Sequence, residues 1–268
     1  MKNWFSLEPD GRVNWAALPS ALTELKLATV PAPLAFASIP FGTLPHTLRA
    51  LTFSQLRLHR FQPLDSLPEG LASLCLSQCG LAGRLDLSLL PTTVETLLLQ
   101  NNAFEGAVVL QHLPARARVC DLSCNAFRGM VSLAGLPENL RSLNIECNRL
   151  TGRLDFAALP QWLETLRLGN NRFSITPDLT ALPPTVTTLT LDHNAFVTPP
   201  TLVALLAGLT ELDLSANPWD TASPPVVRDF PPGLRDVSRV LAPLRRLDFR
   251  KAPTRPPRPR KITSEPVP

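Results

Sequence analysis

Residues 136–158 read LPENLRSLNIECNRLTGRLDFAA, and the same pattern begins 23 residues earlier and again 23 residues later. A Leu-Pro pair opens every one of these units. A fixed period of this length is typical of a solenoid, in which each unit forms one coil and buries its apolar face against the next coil. The sequence therefore predicts a core that grows along one axis. Leu-Pro pairs at this spacing begin at Leu67, Leu90, Leu113, Leu136, Leu159 and Leu182.

Each unit contains a short strand pattern followed by a turn. Apolar and polar residues alternate in Leu143, Asn144 and Ile145, as expected for a strand with one buried face. An asparagine then follows, and its amide can bind the backbone groups that the turn leaves without sheet partners. A bulky apolar residue and a glycine such as Gly152 come next, and the glycine permits the turn into the return segment. The asparagines are Asn102, Asn125, Asn148, Asn171, Asn194 and Asn217.

The pattern L-P-x-x-L-x-x-L-x-L-x-x-N-x-(L/F)-x-G-x-(L/V) resembles a leucine-rich repeat and covers roughly residues 11–227. The 23-residue unit is similar to the repeats of kinetoplastid leucine-rich repeat proteins. The resemblance implies an α/β-type repeat solenoid that is mainly β. It would be a right-handed coil with a concave parallel β-sheet and a mostly non-helical convex side. Ile175 and Thr198 replace the glycine in two later units, where we expect a more extended convex side.

The composition divides the chain into four parts. Residues 1–17 resemble the trailing half of a repeat and are predicted to form an N-terminal cap, with Trp4, Phe5 and Trp15 over the end of the core. Residues 18–227 are predicted to form the solenoid of about nine repeats, the first two irregular. Residues 228–248 are predicted to form a C-terminal cap with a short basic helix near 233–242, ended by Pro243. Residues 249–268 are rich in proline and arginine and are predicted to be a disordered tail.

Basic charge is concentrated near the C-terminus. Of the 26 Lys/Arg and 22 Asp/Glu in the chain, 11 basic and three acidic residues lie in 228–261, a local net charge of +8. The tail is therefore a candidate for binding RNA, an acidic surface or an import receptor. It also resembles a ligand of Src-homology-type proline-binding domains, and a merely solubilising tail is equally open. The candidate tail-binding residues are Arg255, Pro256, Arg258, Arg260 and Lys261.

The five cysteines are scattered within the repeats and do not form flanking disulfide caps. The N-terminus shows no secretory signal, and no apolar run is long enough to span a membrane. These features favour an intracellular, most simply cytoplasmic, protein. Cys124 and Cys147 occupy the same position in successive units, at disulfide distance if adjacent strands lie ~4.8 Å apart. In a reducing compartment they would remain thiols, and a redox role stays open.

A metal site is not expected from the cysteine spacing. Cys75 and Cys79, like Cys120 and Cys124, are separated by three residues, a spacing that invites a zinc interpretation. However, Cys79 replaces a column asparagine and Cys120 replaces a core leucine, so both are predicted to point inward while Cys75 points outward.

The outward strand residues of a concave sheet are the candidate partner-binding surface. Leu98 is predicted to lie diagonally next to Val119, as an exposed apolar pair on a face that is otherwise small and polar. The charged residues around this pair, with Arg149 and Arg172, form either a rim for a partner or a solvated face with inter-strand ion pairs. The candidate partner-binding residues are Leu98, Val119, Asp121, Asn144, Glu146, Arg167 and Asp192.

The sequence contains no recognisable catalytic motif. It has no glycine-rich phosphate loop after a strand and no G-x-S-x-G, and among the four histidines only His193 lies beside an acid, Asp192. We therefore predict a non-enzymatic protein without cofactor, metal or small-molecule substrate. The favoured function is a protein–protein interaction scaffold that binds a protein partner on its concave face, with the basic tail as an auxiliary attachment. The alternative is a structural subunit of a ribonucleoprotein or other large assembly, held by the basic C-terminal segment.

Overall fold

A computed structural model describes residues 14–28, 39–56, 58, 64–202, 205–220 and 231–235 of the 268-residue chain. Within them the chain forms short β-strands joined by turns and single-turn 3-10 helices. The strands are β1 (Glu24–Ala28), β2 (Ala50–Ser54), β3 (Ser73–Ser77), β4 (Ala82–Arg84), β5 (Thr96–Leu98), β6 (Ala103–Gly106), β7 (Val119–Asp121), β8 (Ala126–Met130), β9 (Ser142–Asn144), β10 (Arg149–Thr151), β11 (Thr165–Arg167), β12 (Thr188–Thr190) and β13 (Glu211–Asp213). The 3-10 helices are Trp15–Ala17, Phe41–Thr43, Leu64–Ser66, Leu87–Leu89, Leu110–His112, Phe156–Ala158 and Leu179–Ala181.

One long parallel sheet contains the first strand of every coil. Its order follows the chain: β1, β2, β3, β5, β7, β9, β11, β12 and β13. Leu143 lies opposite Cys120 on one side and Leu166 on the other, so the register advances by one repeat per strand. Between β1 and β2 the step is longer, because Glu24 lies opposite Ala50. The predicted mainly-β solenoid with a parallel sheet is confirmed.

A second, smaller parallel sheet lines part of the convex side, in the order β10, β8, β6 and β4. Every coil that contributes a strand has a glycine within that strand or directly after it, with φ between +85° and +120°. Ile175 and Thr198 occupy this position in the next two coils, whose described residues add no strand and only one isolated bridge, between Arg153 and Ile175. A β-branched side chain strongly disfavours positive φ, which explains where the sheet stops. The glycines are Gly83, Gly106, Gly129 and Gly152.

Short 3-10 helices, several of them started by an aspartate, make up the rest of the convex side. Asp86, Asp155 and Asp178 each accept a hydrogen bond from the backbone N–H two residues later. This side-chain bond satisfies a donor at the start of the turn. No α-helix occurs within the described residues, so the convex side is non-helical in the sense predicted. None of their helical segments has the length and apolar character needed to cross a membrane.

The core lies between the two sides and is built from stacked columns of equivalent residues. Leucines from the strands and turns are almost fully buried along its length. The phenylalanines that follow the asparagine column stack on one another: the rings of Phe104 and Phe127 lie 6.2 Å apart with an interplanar angle of 8°. Phe196 and Trp219 make the same contact at 5.9 Å. Burying a side chain of this size contributes about 1.5–3 kcal/mol, repeated in each coil.

The asparagine column binds adjacent coils together, as the sequence predicted. The Asn148 Nδ2 group donates to the carbonyl oxygens of Ile145 and Glu146 in its own coil and of Leu122 in the preceding coil. Its Oδ1 accepts from the Phe127 N–H at 3.1 Å. The other five asparagines repeat this pattern. At the irregular end of the column, the Cys79 thiol donates hydrogen bonds to the carbonyl oxygens of Phe53 and Ser77.

The two ends of the solenoid are described only in part. The ring of Trp15 lies 6.0 Å from that of Phe53 and packs against the core. Trp4 and Phe5 lie outside the described residues. At the other end Leu234 is buried, and its N–H donates to the Pro231 carbonyl. Most of the predicted helix near 233–242 and all of the predicted tail lie outside the described residues, so both remain predictions.

Candidate partner-binding face

The predicted apolar pair lies on neighbouring strands of the long sheet. Leu98 on β5 is opposite Asp121, and Val119 on β7 is opposite Thr96, which puts the two apolar residues on a diagonal. Both side chains are half-buried and therefore less exposed than we expected. The pair thus forms a low apolar area within the sheet surface and does not project from it.

Three of the predicted polar residues form a continuous hydrogen-bonded chain. Asp121 accepts from the N–H and hydroxyl of Ser123 through Oδ1, at 2.9 and 2.6 Å. Its Oδ2 accepts from the Asn144 side chain at 3.2 Å. The Asn144 Oδ1 in turn accepts from the Glu146 N–H at 3.1 Å. These contacts hold the side chains of β7 and β9 in fixed positions.

Glu146 reaches across a whole coil because the residue between has no side chain. The Thr190 hydroxyl donates to the Glu146 carboxylate although the two residues are 44 positions apart. Gly169 lies in the coil between them and is buried. A Cβ at this position would lie 2.4 Å from the Asp192 Oδ1. Gly169 therefore leaves the gap into which Asp192 and Glu146 extend.

The gap concentrates negative charge. Burial raises the pKa of the Glu146 carboxyl above its ordinary value, and the nearby charges of Asp192 and Asp121 raise it further. The hydrogen bond from Thr190 and the charge of Arg167 act in the opposite direction. Because the net shift is upward, this part of the face favours neutralisation of the carboxylate or a cation beside it.

The last two predicted residues are also partnered. An Arg167 Nη2–Glu211 Oε2 contact of 3.3 Å links two coils that are not adjacent. The Asp192 Oδ2 lies 2.8 Å from the Nδ1 of the exposed His193. Five residues of this network were not predicted: Gly169, Thr190, Ser123, His193 as a network member, and Glu211. A glycine in an otherwise polar column was the only signal for the first two.

Arg149 and Arg172 do not border the concave surface. Arg149 begins β10 of the second sheet, and the Arg172 N–H donates to the Leu150 carbonyl within the same sheet edge. Both are exposed, and neither belongs to a strand of the long sheet. The tail residues Arg255, Pro256, Arg258, Arg260 and Lys261 lie outside the described residues.

A column of left-handed residues forms the turn after each strand of the long sheet. Eight residues that are not glycine have φ between 50° and 58°, one in each coil from β2 onward. The cysteines divide as predicted, with Cys79 and Cys120 fully buried and Cys75 half-buried. In the described part of the chain no three metal-binding side chains converge. The left-handed residues are Gln55, Gln78, Asn101, Cys124, Cys147, Asn170, His193 and Ala216.

Comparison with known proteins gives a match at the level of structure. No family model and no curated protein matches the chain. Among solved structures, a plant ice-binding protein is similar, with a TM-score of 0.51 and 22% identity over 81% of this chain and 77% of that one.

Two further structures are similar over a shorter part of their own length. The LRR ectodomain of the receptor kinase GASSHO1/SCHENGEN3 from Arabidopsis thaliana, in complex with CASPARIAN STRIP INTEGRITY FACTOR 2, gives a TM-score of 0.52 at 21% identity. It matches 76% of this chain, which spans 28% of that ectodomain. The PEPR1–AtPEP1 structure gives 0.53 at 20% identity, over 81% of this chain and 37% of that one. At sequence identities this low, structural similarity establishes the fold alone. The chain has the fold of a leucine-rich repeat solenoid.

Proposed function

We propose that this chain is a non-catalytic protein-interaction module that binds a protein partner on its concave sheet. The observation that carries the proposal is the cross-linked polar network on β7 to β13, next to the half-buried pair Leu98 and Val119. Side chains that are already held in position lose little conformational entropy on binding, and this favours recognition. One of the structurally similar proteins is an LRR ectodomain described in complex with CASPARIAN STRIP INTEGRITY FACTOR 2, which supports this use of the fold.

The charge of the face indicates the chemistry of the partner. Burial raises the pKa of Glu146, the nearby charges of Asp192 and Asp121 raise it further, and Arg167 is already paired with Glu211. A partner that places a lysine or arginine near Gly169 would offset this excess negative charge. The same partner would cover Leu98 and Val119 with an apolar side chain. We therefore propose a protein segment with basic and apolar residues in proximity.

Affinity purification followed by mass spectrometry tests the proposal. The intact chain is compared with a Leu98→Lys/Val119→Lys variant and with Met130→Lys as the matched control. Met130 is 79% exposed and lies on the second sheet, so its substitution changes charge and leaves the concave face intact. We expect the double variant to lose a discrete partner that the intact chain and the control retain. The partner is then purified and its affinity measured with each variant.

Equal binding by all three proteins would refute the concave-face proposal. Circular dichroism of each variant distinguishes lost binding from lost folding, because Leu98 and Val119 are only half-buried and a lysine there can keep its ammonium group in water.

The basic C-terminal segment supports the second candidate, attachment to RNA or another acidic surface within a large assembly. Its local charge of +8 is the specific observation. Such binding weakens steeply as salt increases, since it releases counterions. A chain truncated after residue 248 should lose RNA binding and keep the concave-face partner. RNA binding that survives the truncation would contradict a role for the tail.

An intracellular location is also part of the proposal. All five cysteines are free, as expected for a chain that folds in a reducing compartment. Fluorescence microscopy of the tagged full-length chain, with secretion into the medium as the contrary outcome, tests this point.

A further inference from the structure

Cys124 and Cys147 occupy equivalent positions in adjacent coils. They follow β7 and β9, whose residues Asp121 and Asn144 lie opposite each other. Both have left-handed backbones, with φ of 52° and 54°, so their side chains leave the turn in the same direction. Neighbouring parallel strands lie about 4.8 Å apart, which is within the Cα–Cα range of about 4.4–6.8 Å that a disulfide spans.

The two thiols are also close enough to influence each other at the surface. Along with desolvation, the neighbouring Cys147 thiol raises the pKa of Cys124. Cys124 is exposed and Cys147 half-buried, so a small reagent can reach the pair. The remaining cysteines differ: Cys79 and Cys120 are fully buried, and Cys75 contacts Ser77. Only Cys124 and Cys147 combine access with a neighbouring thiol.

We propose that Cys124 and Cys147 are a modification site, a surface dithiol that a small-molecule disulfide oxidises to an intramolecular disulfide. The bond links two coils at the edge of the concave sheet. Asp121 and Glu146 lie on the same two coils, so the linkage also fixes the strands that carry the acidic part of the face.

The surroundings of the two sulfurs set the order of attack. Partial desolvation of its sulfur raises the pKa of Cys124 to about 11 although the residue is exposed, and the neighbouring Cys147 thiol and the charges of Asp121 and Glu146 act in the same direction. Cys124 is therefore a thiol at neutral pH. The Cys147 sulfur accepts a hydrogen bond from the Asn170 Nδ2 at 3.4 Å. Because the raised pKa keeps Cys124 protonated, and the thiolate is the nucleophile in disulfide exchange, we assign Cys147 as the first nucleophile.

The reaction balances with one molecule of a disulfide RSSR. The Cys147 thiolate attacks one sulfur of RSSR, breaks its S–S bond and releases RS⁻, which takes up a proton as RSH. Cys124 then loses its proton and attacks the Cys147 sulfur of the mixed disulfide, expelling the second RS⁻. Two protein thiols have lost two electrons and two protons, and RSSR has become two RSH. Excess thiol reverses both steps.

Oxidised glutathione acting on the full chain tests the proposal. After incubation the remaining thiols are alkylated, and the intact mass and the non-reduced proteolytic peptides are measured. We expect three alkylated cysteines out of the five in the chain, with one peptide pair joined through Cys124 and Cys147. Cys75→Ser is the matched control, because it removes a half-buried cysteine outside the pair and should leave the linked peptide unchanged.

Two variants test the order of attack. Cys124→Ser lacks the resolving thiol and should accumulate glutathione on Cys147. Cys147→Ser should react about tenfold more slowly, because only the protonated Cys124 remains. The opposite pattern would overturn the assigned order.

The site itself is refuted if Cys124 and Cys147 of the folded wild type are both still alkylated after equilibration with excess oxidised glutathione. A linked peptide that contains Cys75, or links formed only between two chains, would also overturn it. Thermal denaturation of each variant shows whether the comparison is between folded proteins.

Discussion

Replacement of Asn148 by alanine isolates the contribution of the asparagine column to the stacking of coils. The side chain is only 8% exposed and binds groups in its own and the preceding coil. Its removal takes away the acceptor of the Phe127 N–H. It also takes away the donor that three carbonyl oxygens share. Alanine fits the space, so the loss is one of hydrogen bonds with little steric change.

The size of the effect follows from which groups retain a partner. The Leu122 carbonyl still accepts from Asn125, the Ile145 carbonyl from Asn171, and the Glu146 carbonyl from the Cys124 N–H. These carbonyls lose only the net value of a bond, about 0.5–1.5 kcal/mol for each amide hydrogen. The Phe127 N–H loses its side-chain acceptor in a buried place, at about 1–3 kcal/mol. We expect the free energy of unfolding to fall by about 4 kcal/mol, within a range of about 2–6.

Denaturant unfolding followed by circular dichroism measures this change, with Asn139→Ala as the matched control. Asn139 is exposed and makes a single hydrogen bond, of 3.4 Å, to the Ala115 carbonyl. Its replacement should change the free energy of unfolding by less than about 0.5 kcal/mol. Hydrogen exchange adds a local measurement, because the Phe127 amide should lose protection in Asn148→Ala. Equal stability of the two variants would show that leucine packing alone holds the coils and that the reasoning is wrong.

Two further predictions concern the convex glycines and the acidic gap. Gly152→Ala should destabilise the protein by about 1–3 kcal/mol more than Gly83→Ala, as measured by denaturant unfolding. Both glycines have positive φ, but a Cβ at Gly152 would lie 2.8 Å from the Val131 carbonyl oxygen and one at Gly83 would meet nothing within 4 Å; equal losses would exclude the steric cause. Glu146→Gln should raise the unfolding midpoint at pH 7, because the raised pKa of Glu146 means that the folded state disfavours the carboxylate. In the wild type, the stabilisation that comes from the protonated form of Glu146 is complete below the ordinary glutamate pKa of about 4.3 and is lost as the pH rises through the raised pKa of the folded state. The unfolding midpoints of the two proteins should therefore converge on acidification. A constant difference across pH would contradict the assignment.

The repeated positions could be predicted from the sequence because each has the same physical task in every coil. Asn148 and its equivalents satisfy the same backbone groups, so one residue type recurs at a fixed spacing. Gly152 and its equivalents adopt positive φ where a side chain is disfavoured. At Ile175 and Thr198, where the glycine is replaced, the sequence predicted only a more extended convex side and not the end of a second sheet. The strands, the turns and the direction of the core residues all follow from this regularity.

The left-handed column could not be predicted because its residue types vary. Gln78, Asn101, Cys124 and His193 share a backbone conformation but no side-chain chemistry. At this turn the position is fixed by its neighbours in the coil, and several residue types tolerate the conformation at a modest cost. Cys124 and Cys147 are two of these variable residues, and only their separation by one repeat length predicted that they are neighbours.

The contacts of the candidate site depend on where a side chain is missing as much as on which side chains are present. Residue positions along the repeats therefore do not predict all of these contacts. The sequence shows which residue lies next to which in adjacent coils. Thr190 binds Glu146 two coils away only because Gly169 leaves the space between them open. Arg167 and Glu211 likewise join coils that are not neighbours.

Two kinds of contact hold the coils together. The asparagine column joins each coil to the next inside the core, whereas long side chains such as Glu146 and Arg167 join alternate coils on the concave surface. A partner bound to this face as proposed would either bind the network as it stands or break an existing ion pair to use Arg167 or Glu211. Breaking that pair would leave charges to be satisfied again. At the acidic gap beside Gly169, a basic side chain would instead offset the charges of Asp192 and Asp121, which add to the effect of burial on the pKa of Glu146.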